Sequence, residues 1–148
     1  MLDRILKTKR NILKNKNFRK KINKNFVVLI PARKGSKRIN NKNFISINKK
    51  PLIYYTYKET IKIFDKKNIF ISSNDEKAKK FSIKYGLRFI ERPQHLCKDN
   101  SSTEEAIRHF IKKMSLEKSF LKKNIILLQI TSPLRTSKDI AGSIRKFN

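Results

Sequence analysis

The sequence has little cysteine, little histidine and few acidic residues, and it contains no long apolar run. One cysteine, Cys97, and two histidines stand among 148 residues, which excludes an internal disulfide and argues against a Cys/His zinc cluster. Nothing approaches the roughly 18 uninterrupted apolar residues of a membrane span, and the N-terminus lacks the apolar segment of a secretory signal. We therefore expect a cytoplasmic protein of one domain, large enough to bury a core.

The shortage of acidic residues leaves a formal net charge of +27, from 38 Lys and Arg against 11 Asp and Glu. Strong basicity favours anionic ligands and makes nucleic-acid binding one candidate function. However, 28 Lys, 14 Asn and 21 Ile make up 63 of the 148 residues, and AT-rich codons encode all three. Codon bias therefore explains much of the charge, and we weigh it above a selected nucleic-acid surface.

Residues 1–25 form a basic N-terminal extension with ten Lys and Arg against one Asp. Apolar residues at Leu2, Ile5, Leu6 and Leu13 would share roughly one helical face. Two interpretations stay open for this extension, a basic amphipathic helix and a weakly ordered arm.

From Phe26 onward, short apolar runs alternate with amphipathic segments. The runs FVVLIPA, NIFISS, LRFIERP and NIILLQI predict strands. Helices are predicted over 51–64, 75–85, 102 to about 118, and from 136 onward. Gly86 is a natural helix stop, and Ser102 with Glu105 forms a capping box. The alternation predicts an α/β fold, Rossmann-like, with a mostly parallel sheet covered on both faces.

Ligands of such folds bind outside the carboxyl ends of the strands. This rule selects four candidate loops, at residues 33–43, 72–75, 92–103 and 129–135. The first, in VVLIPARKGSKRINNKN, follows a buried strand at once with concentrated positive charge. Gly35 permits a positive φ, Ser36 adds a hydroxyl, Arg33 can fork onto phosphate oxygens, and Lys42 supplies a point charge. A polyphosphate site explains this pattern better than a solvated basic loop does.

The segments IPARKGSKRINNKN, KPLIYYT, ISSND, ERPQHLCKDNSST and LLQITSPLRT, in this order, resemble the acylneuraminate cytidylyltransferase (CMP-sialic acid synthetase) family. The resemblance runs from about Phe26 to the C-terminus. It implies a three-layer nucleotidyltransferase fold over 26–148 and transfer of CMP from CTP to the anomeric hydroxyl of a nonulosonic acid. Pyrophosphate leaves, and Mg²⁺ is the implied cofactor.

The resemblance also implies roles for individual residues. Arg33, Lys42 and Gln129 are expected to be catalytic, with Gln129 near the sugar. The expected nucleotide-binding residues are Arg33, Gly35, Ser36, Lys42, Asn43, Arg92, Ser102 and Thr103. No metal ligand is assigned, and at Arg135 a structural role and a binding role stay open.

Several of these residues also have ordinary structural interpretations. Arg92 could pair with Glu91 or Asp99, and Ser102 is explained as a helix cap. Gln129 ends an apolar strand, where we expect it to be a buried polar group and favour function. His95 is interpreted as a loop residue and His109 as a helix-surface residue. Tyr54, Tyr55 and Tyr57 are assigned to packing, and Cys97 has no catalytic role.

The sequence departs from the family in three places. Asn40 stands where the family has Pro, Asn74 replaces a carboxylate, and the chain ends at Asn148. The family continues into a dimerisation element, sugar-binding residues and two metal-binding aspartates. We therefore predict an incomplete domain with an exposed sheet edge, weak stability alone, and a homodimer or a complementing C-terminal polypeptide as partner.

Two alternatives to this function remain. A basic nucleic-acid-binding protein would bind through residues 1–25 with strong salt dependence. A Kdo cytidylyltransferase has a related first loop, but GSKR and LLQITSPLRT argue against it. The sequence does not choose among sialic, legionaminic and pseudaminic acids as acceptor.

Overall fold

A computed structural model describes residues 16–35 and 39–147. The helices are α1 (Lys16–Asn25), α2 (Leu52–Thr60), α3 (Glu76–Tyr85), α4 (Thr103–Met114) and α5 (Ser137–Phe147). The strands are β1 (Phe26–Pro31), β2 (Ser46–Ile47), β3 (Lys50–Pro51), β4 (Ile69–Ser73), β5 (Arg88–Glu91) and β6 (Asn124–Leu127). Short 3₁₀ turns cover 42–44, 66–68, 94–97 and 118–120.

Four strands form one parallel sheet in the order β5-β4-β1-β6. Val28 of β1 lies opposite Ile69 of β4 on one side and Ile126 of β6 on the other. The order reverses at β1, because the chain moves outward through β4 and β5 and then returns to β6 on the opposite side. The prediction of an α/β fold with a mostly parallel sheet is confirmed.

The sheet separates two hydrophobic cores. One core packs β1 residues such as Val28 and Ile30 against α1, α2, α3 and α5. The other packs Val27, Leu29 and Phe70 against α4, through Phe110 and Met114. Successive strand residues alternate between the two cores, and β1 and β4 are almost wholly buried. The three-layer arrangement follows from strands that are apolar on both faces.

Helix ends follow the sequence signals closely. Ser102 and Glu105 form the predicted capping box, and Gly86 ends α3 with a φ of +67°. Thr136 and Asp139 cap the last helix reciprocally, through hydrogen bonds of 2.8 and 3.3 Å. The predicted packing role of the tyrosines is confirmed for Tyr54 and Tyr57, whose rings cluster with Phe81 and Tyr85.

Several boundaries were predicted wrongly. Helix α2 ends at Thr60 rather than Phe64, and α4 ends at Met114 rather than near Lys118. The antiparallel pair β2–β3 was missed, because each strand has only two residues and too short an apolar pattern to detect. Both strands lie in the segment between the first loop and α2.

The basic extension is part of the fold over its last ten residues. Helix α1 packs Ile22 into the core, with 2% of its surface exposed, and Arg19 pairs with Asp65 at 3.2 Å. Residues 16–25 are helical, whereas the helical face predicted from Leu2, Ile5, Leu6 and Leu13 lies outside the described residues and is not tested. The division of the chain at residue 25 stays a prediction. Among the described residues, no helix has the length and apolar composition that crossing a membrane requires.

Candidate functional site

A cleft of about 210 Å³ opens at the carboxyl ends of β1, β4, β5 and β6. This is the edge of the sheet where the strand order reverses and where parallel α/β folds bind ligands. Its lining comes from all four predicted loops and from the start of α4. The lining residues are Pro31, Arg33, Lys34, Gly35, Asn41, Lys42, Asn43, Asp75, Arg92, Ser101, Ser102, Thr103, Ala106, Gln129, Ile130 and Thr131.

The cleft brings together eight of the nine residues that were predicted for the site. Ser36 is the ninth, and it lies outside the described residues. The other eight come from sequence positions as distant as Arg33 and Gln129. Their convergence is a property of the fold, but it does not by itself test the individual roles, which stay predictions.

The loop after β1 is held by backbone and side-chain hydrogen bonds. Gly35 has a φ of +79°, and no heavy atom lies within 4 Å of the position a Cβ would occupy. Glycine is therefore required by the backbone conformation and not by crowding. Asn43 donates to the Arg33 carbonyl at 3.0 Å, and Lys34 N–H donates to the Asn74 side chain at 2.7 Å. These contacts fix the start of the loop against the loop after β4.

Arg33 is the most engaged cation at the mouth of the cleft. Its Nη1 lies 3.1 Å from Asp99 and 2.5 Å from the Gly35 carbonyl oxygen. Its side chain is 31% exposed, so a guanidinium face remains open to a ligand. The ion pair between Arg33 and Asp99 was not predicted from the sequence. The loop 92–103 was nevertheless selected as a site loop, and Asp99 is its only acidic residue.

Arg92 lies beneath the cleft and does not pair with Glu91 or Asp99. It is 4% exposed, and its guanidinium donates to the Ser72 hydroxyl at 3.1 Å and the Ser72 carbonyl at 2.8 Å. Burial lowers the pKa of Arg92, and the neighbouring Arg33 lowers it further. Two cations are thus held near each other, which makes an anion between them favourable.

The prediction that Gln129 is buried is wrong. The strand β6 ends at Leu127, and Gln129 is exposed in the cleft wall rather than buried. Arg135 donates to its backbone carbonyl at 2.9 Å, which gives Arg135 the structural role that was one of its two options. The amide of Gln129 therefore faces a space in which a ligand could lie.

Ser102 is the N-cap of α4, which begins at Thr103, and both residues line the cleft. The Ser102 hydroxyl accepts from Glu105 N–H at 3.1 Å, so the capping role is real and occupies one lone pair. Thr103 is exposed. Phosphates favour the start of a helix because its first N–H groups have no intrahelical partner.

The carboxylates near the cleft do not form a metal site of the protein's own. Asp75 is 6% exposed and caps α3 by accepting from Lys77 N–H at 2.9 Å, and Asp99 is paired with Arg33. Within 16–35 and 39–147 there is no group of three or more His, Cys, Asp and Glu residues that could hold a metal ion. The side chains present therefore do not fit a protein-held Mg²⁺.

The remaining reactive side chains are not arranged for nucleophilic chemistry. Cys97 is buried, and burial raises the pKa of its thiol, which disfavours the thiolate. His95 is exposed in a short turn, as predicted. His109 is half-buried rather than fully on the helix surface, and burial lowers its pKa, as do the charges of Lys113 and Arg92.

Comparisons with known proteins agree with this geometry. Residues 27–148 match a family model described as Cytidylyltransferase. The chain is 31% identical over 124 residues to the N-acylneuraminate cytidylyltransferase of Streptococcus agalactiae serotype V, covering 82% of this chain and 29% of the relative. It is 33% identical over 123 residues to the pseudaminic acid cytidylyltransferase of Campylobacter jejuni, covering 80% of this chain and 51% of the relative.

A solved structure shares the fold at lower identity. It is CMP:2-keto-3-deoxy-manno-octonic acid synthetase complexed with CTP, with a TM-score of 0.65 and 20% identity, covering 83% of this chain and 47% of that one. The chain thus spans about half or less of the length of the proteins that it matches.

Proposed function

The chain belongs to the cytidylyltransferase family, and from this premise we propose that it binds CTP and supplies the nucleotide half of a site that transfers CMP to a nonulosonic acid. One observation carries the proposal: the cleft at the strand ends gathers Arg33, Lys42, Arg92 and Gln129 beside a helix start. A triphosphate bears about four negative charges, and transfer moves charge onto the leaving pyrophosphate. Fixed cations stabilise this charge when they are placed before the reaction begins.

The described side chains would have different roles, according to the part of the cleft that they line. Arg33 and Lys42, on the loop after β1, would hold the phosphates, since both cations line the cleft and are only half-buried. Asn43 would position that loop through the Arg33 carbonyl. Gln129, in the loop after β6, would orient the acceptor hydroxyl for in-line attack on the α-phosphate.

Mg²⁺ is part of the proposal only as a companion of the nucleotide. Mg²⁺ binds through one or two carboxylates and substrate phosphates, and the carboxylates near this cleft are already engaged by Lys77 N–H and by Arg33. We therefore assign no metal ligand to the described residues and route no step through the ion.

The acceptor is proposed from the relatives, because their names point to sialic-type sugar acids. Acylneuraminic and pseudaminic acids, which the names of the relatives give, are both in this class. Because these 148 residues span only part of the relatives, CTP binding is proposed for them, and turnover is proposed for the whole protein. A homodimer or a complementing polypeptide remains the proposed partner.

The proposal is tested by titrating the full chain with CTP and, for comparison, with ATP. We expect CTP to bind in the micromolar to millimolar range and Arg33→Ala to weaken it by about 10- to 100-fold, because a hydrogen bond to a charged group contributes about 1.5–3 kcal/mol. Lys49→Ala is the matched control, since it removes an exposed cation outside the cleft lining. Isothermal calorimetry measures both variants. No CTP binding at low-millimolar concentration would remove the proposal.

The alternative of nucleic-acid binding rests on the net charge and on residues 1–25, of which 1–15 lie outside the described residues. It stays a prediction. A deletion of residues 1–15 tests this alternative, whereas a deletion of residues 1–25 would also remove helix α1, which packs into the core.

A further inference from the structure

The peptide unit between Arg33 and Lys34 is hydrogen-bonded at both of its polar ends. Its carbonyl, which belongs to Arg33, accepts from the Asn43 side chain at 3.0 Å. Its N–H, which belongs to Lys34, donates to Asn74 Oδ1 at 2.7 Å. Because a peptide unit is planar, one hydrogen bond at each end fixes the orientation of the whole unit. We call this pair of contacts from Asn43 and Asn74 the asparagine clamp.

The orientation of this peptide unit determines where the first loop goes next. Gly35 follows the unit with a φ of +79°, so the chain changes direction immediately after the clamp. The Arg33 side chain leaves the backbone at the other end of the unit and lines the cleft. A rotation of the unit would therefore move the Arg33 guanidinium and the Gly35 backbone together.

The end of β4 holds the residues that precede the clamp. Ala32 N–H donates to the Ser72 carbonyl at 2.9 Å, and the Ala32 carbonyl accepts from the Ser73 hydroxyl. Neither serine has any exposed surface. Asn74 is the next residue of the same segment, and it holds Lys34. Residues 72–74 thus hold the start of the first loop one residue after another, and Asn74 makes the last contact.

Asn74 is itself oriented by a residue of a third loop. Its Nδ2 donates to Gln94 Oε1 at 2.8 Å, and Gln94 begins the short turn 94–97 that follows β5. An amide that donates to Gln94 through its nitrogen presents its oxygen to Lys34 N–H. The loops after β1, β4 and β5 are therefore joined by one chain of two hydrogen bonds.

We infer that Asn74 is a positioning residue for phosphate binding, and that Gln94 acts through it. This inference rests on the proposed function, because it concerns the loop that would hold the triphosphate. Asn74 is not among the residues that line the cleft, so it acts through the backbone of Lys34 and not on the ligand. Since the Lys34 N–H is already bonded to Asn74, the clamp leaves phosphate binding to other groups of the loop, among them the Arg33 side chain.

The first test compares Asn74→Ala with the wild-type chain by calorimetric titration with CTP and CMP. We expect Asn74→Ala to weaken CTP binding by about three- to tenfold, because the loop loses a hydrogen bond that fixes it. The loss should be smaller for CMP, which lacks the two outer phosphates. Asn100→Ala removes an exposed asparagine of the loop that contains Gln94, outside the cleft lining, and is expected to leave both affinities unchanged.

A second measurement reads the clamp without any nucleotide. Amide exchange at Lys34, followed by NMR in the ligand-free protein, should be faster in Asn74→Ala than in the wild type. Asn74→Asp keeps an acceptor for the Lys34 N–H, and its exchange at Lys34 should stay slow. Thermal unfolding should change little in either variant, because Asn74 is only half-buried. A general loss of structure would instead lower the unfolding temperature and speed exchange throughout the chain.

The third test asks whether Gln94 acts through Asn74. Gln94→Ala should weaken CTP binding less than Asn74→Ala does, and the double variant should be no weaker than Asn74→Ala alone. Residues that act on the ligand independently would instead give losses that add. Additive losses would therefore overturn the role of Gln94.

Three other results would overturn the inference about Asn74. They are unchanged CTP binding by Asn74→Ala, an equal loss for CTP and CMP, and a loss of affinity without faster exchange at Lys34. The proposed function fails in a different way, because a wild-type chain that binds no CTP would remove it whatever the variants do. Exchange at Lys34 would in that case still decide whether the clamp exists.

Discussion

The two ends of the parallel sheet are both rich in polar side chains, but only one end satisfies them internally. At the amino ends, Asn23, Asn68 and Lys123 precede β1, β4 and β6, and they are joined in one network. Lys123 donates to Asn68 at 3.0 Å and to the Asn23 carbonyl at 2.9 Å. Asn68 donates to the Asn23 carbonyl and side-chain oxygens, both at 2.9 Å.

The carboxyl ends keep part of their polar capacity open to the cleft. Gln129 is exposed there, and Arg33, Lys42 and Asn43 are half-buried. A polar group that is fully paired inside the protein contributes to stability, whereas a group left open to a cleft can contribute to binding. We therefore expect the amino ends of the strands to contribute stability, and we propose the carboxyl ends as the ligand-binding end.

Replacing Asn68 should have the largest effect, because it breaks the network at its centre. Asn68 is 1% exposed, and Asn68→Ala removes its two hydrogen bonds to Asn23 and its acceptor for Lys123. We expect a loss of about 2–4 kcal/mol in the free energy of unfolding, since each hydrogen bond contributes about 0.5–1.5 kcal/mol. Urea unfolding measures it, with Asn100→Ala at an exposed site as control. Equal losses in the two variants would break the comparison.

Much of this arrangement was predictable from the sequence, but unevenly. The four strands, the caps at Ser102 and Gly86, and the loops of the cleft follow from local patterns of three to seven residues. The network at the amino ends does not, because Asn23 and Lys123 are 100 residues apart and meet only through the strand order. Because lysine and asparagine are common throughout the sequence, no local pattern indicates that Asn23 and Asn68 are buried.

The site shows the same division between local and distant information. Arg33 and Lys42 are recognisable from the loop that contains them, whereas their surroundings are not. The pairing of Arg33 with Asp99, and the burial of Arg92 against Ser72, depend on how β4 and β5 place their following loops. The sequence predicted which loops meet at the cleft, whereas packing determines which of their side chains already have a partner within the protein.

Replacing Ser102 should separate capping from ligand binding. Ser102→Ala removes the acceptor for Glu105 N–H, and we expect a loss of about 1 kcal/mol in unfolding free energy, as for other N-caps. Thr103→Ala, at the next residue of the same cleft wall, should cost less stability because Thr103 is exposed and does not cap the helix. Thermal unfolding and CTP titration of both variants measure the two roles. A stable Ser102→Ala protein would contradict the capping role.

Removing the charge of Asp99 should improve nucleotide binding. The carboxylate lies 3.1 Å from Arg33, so a triphosphate must compete with it. An exposed ion pair is worth about 0.2–1 kcal/mol, and we therefore expect Asp99→Asn to tighten CTP binding by up to about fivefold. Asp65→Asn, whose carboxylate pairs with Arg19 outside the cleft, is the control. Weaker CTP binding by Asp99→Asn would instead make Asp99 part of the ligand site.

The smallest expected effect concerns His109, a half-buried group that belongs to neither end of the sheet. Its Nδ1 is buried with no hydrogen-bond partner in the described part of the chain, and burial lowers its pKa, assisted by Lys113, Arg92, His95 and Lys112. Because the folded pKa lies below the unfolded value of about 6.5, the folded state favours neutral imidazole. The stability that depends on neutrality is present above pH 6.5 and is lost as the pH falls through and below that value.

We therefore expect the wild-type protein to lose more unfolding free energy than His109→Gln between pH 7.5 and 5.5. Glu59, Glu117 and Asp139 have pKa values below the ordinary range of carboxylates, so their losses fall at lower pH and do not obscure this window. Urea unfolding at the two pH values measures the difference, and His95→Gln serves as the exposed control. If His109→Gln kept the full pH dependence, the burial of this imidazole would have no energetic consequence, and the stability of this protein in that range would depend on other groups.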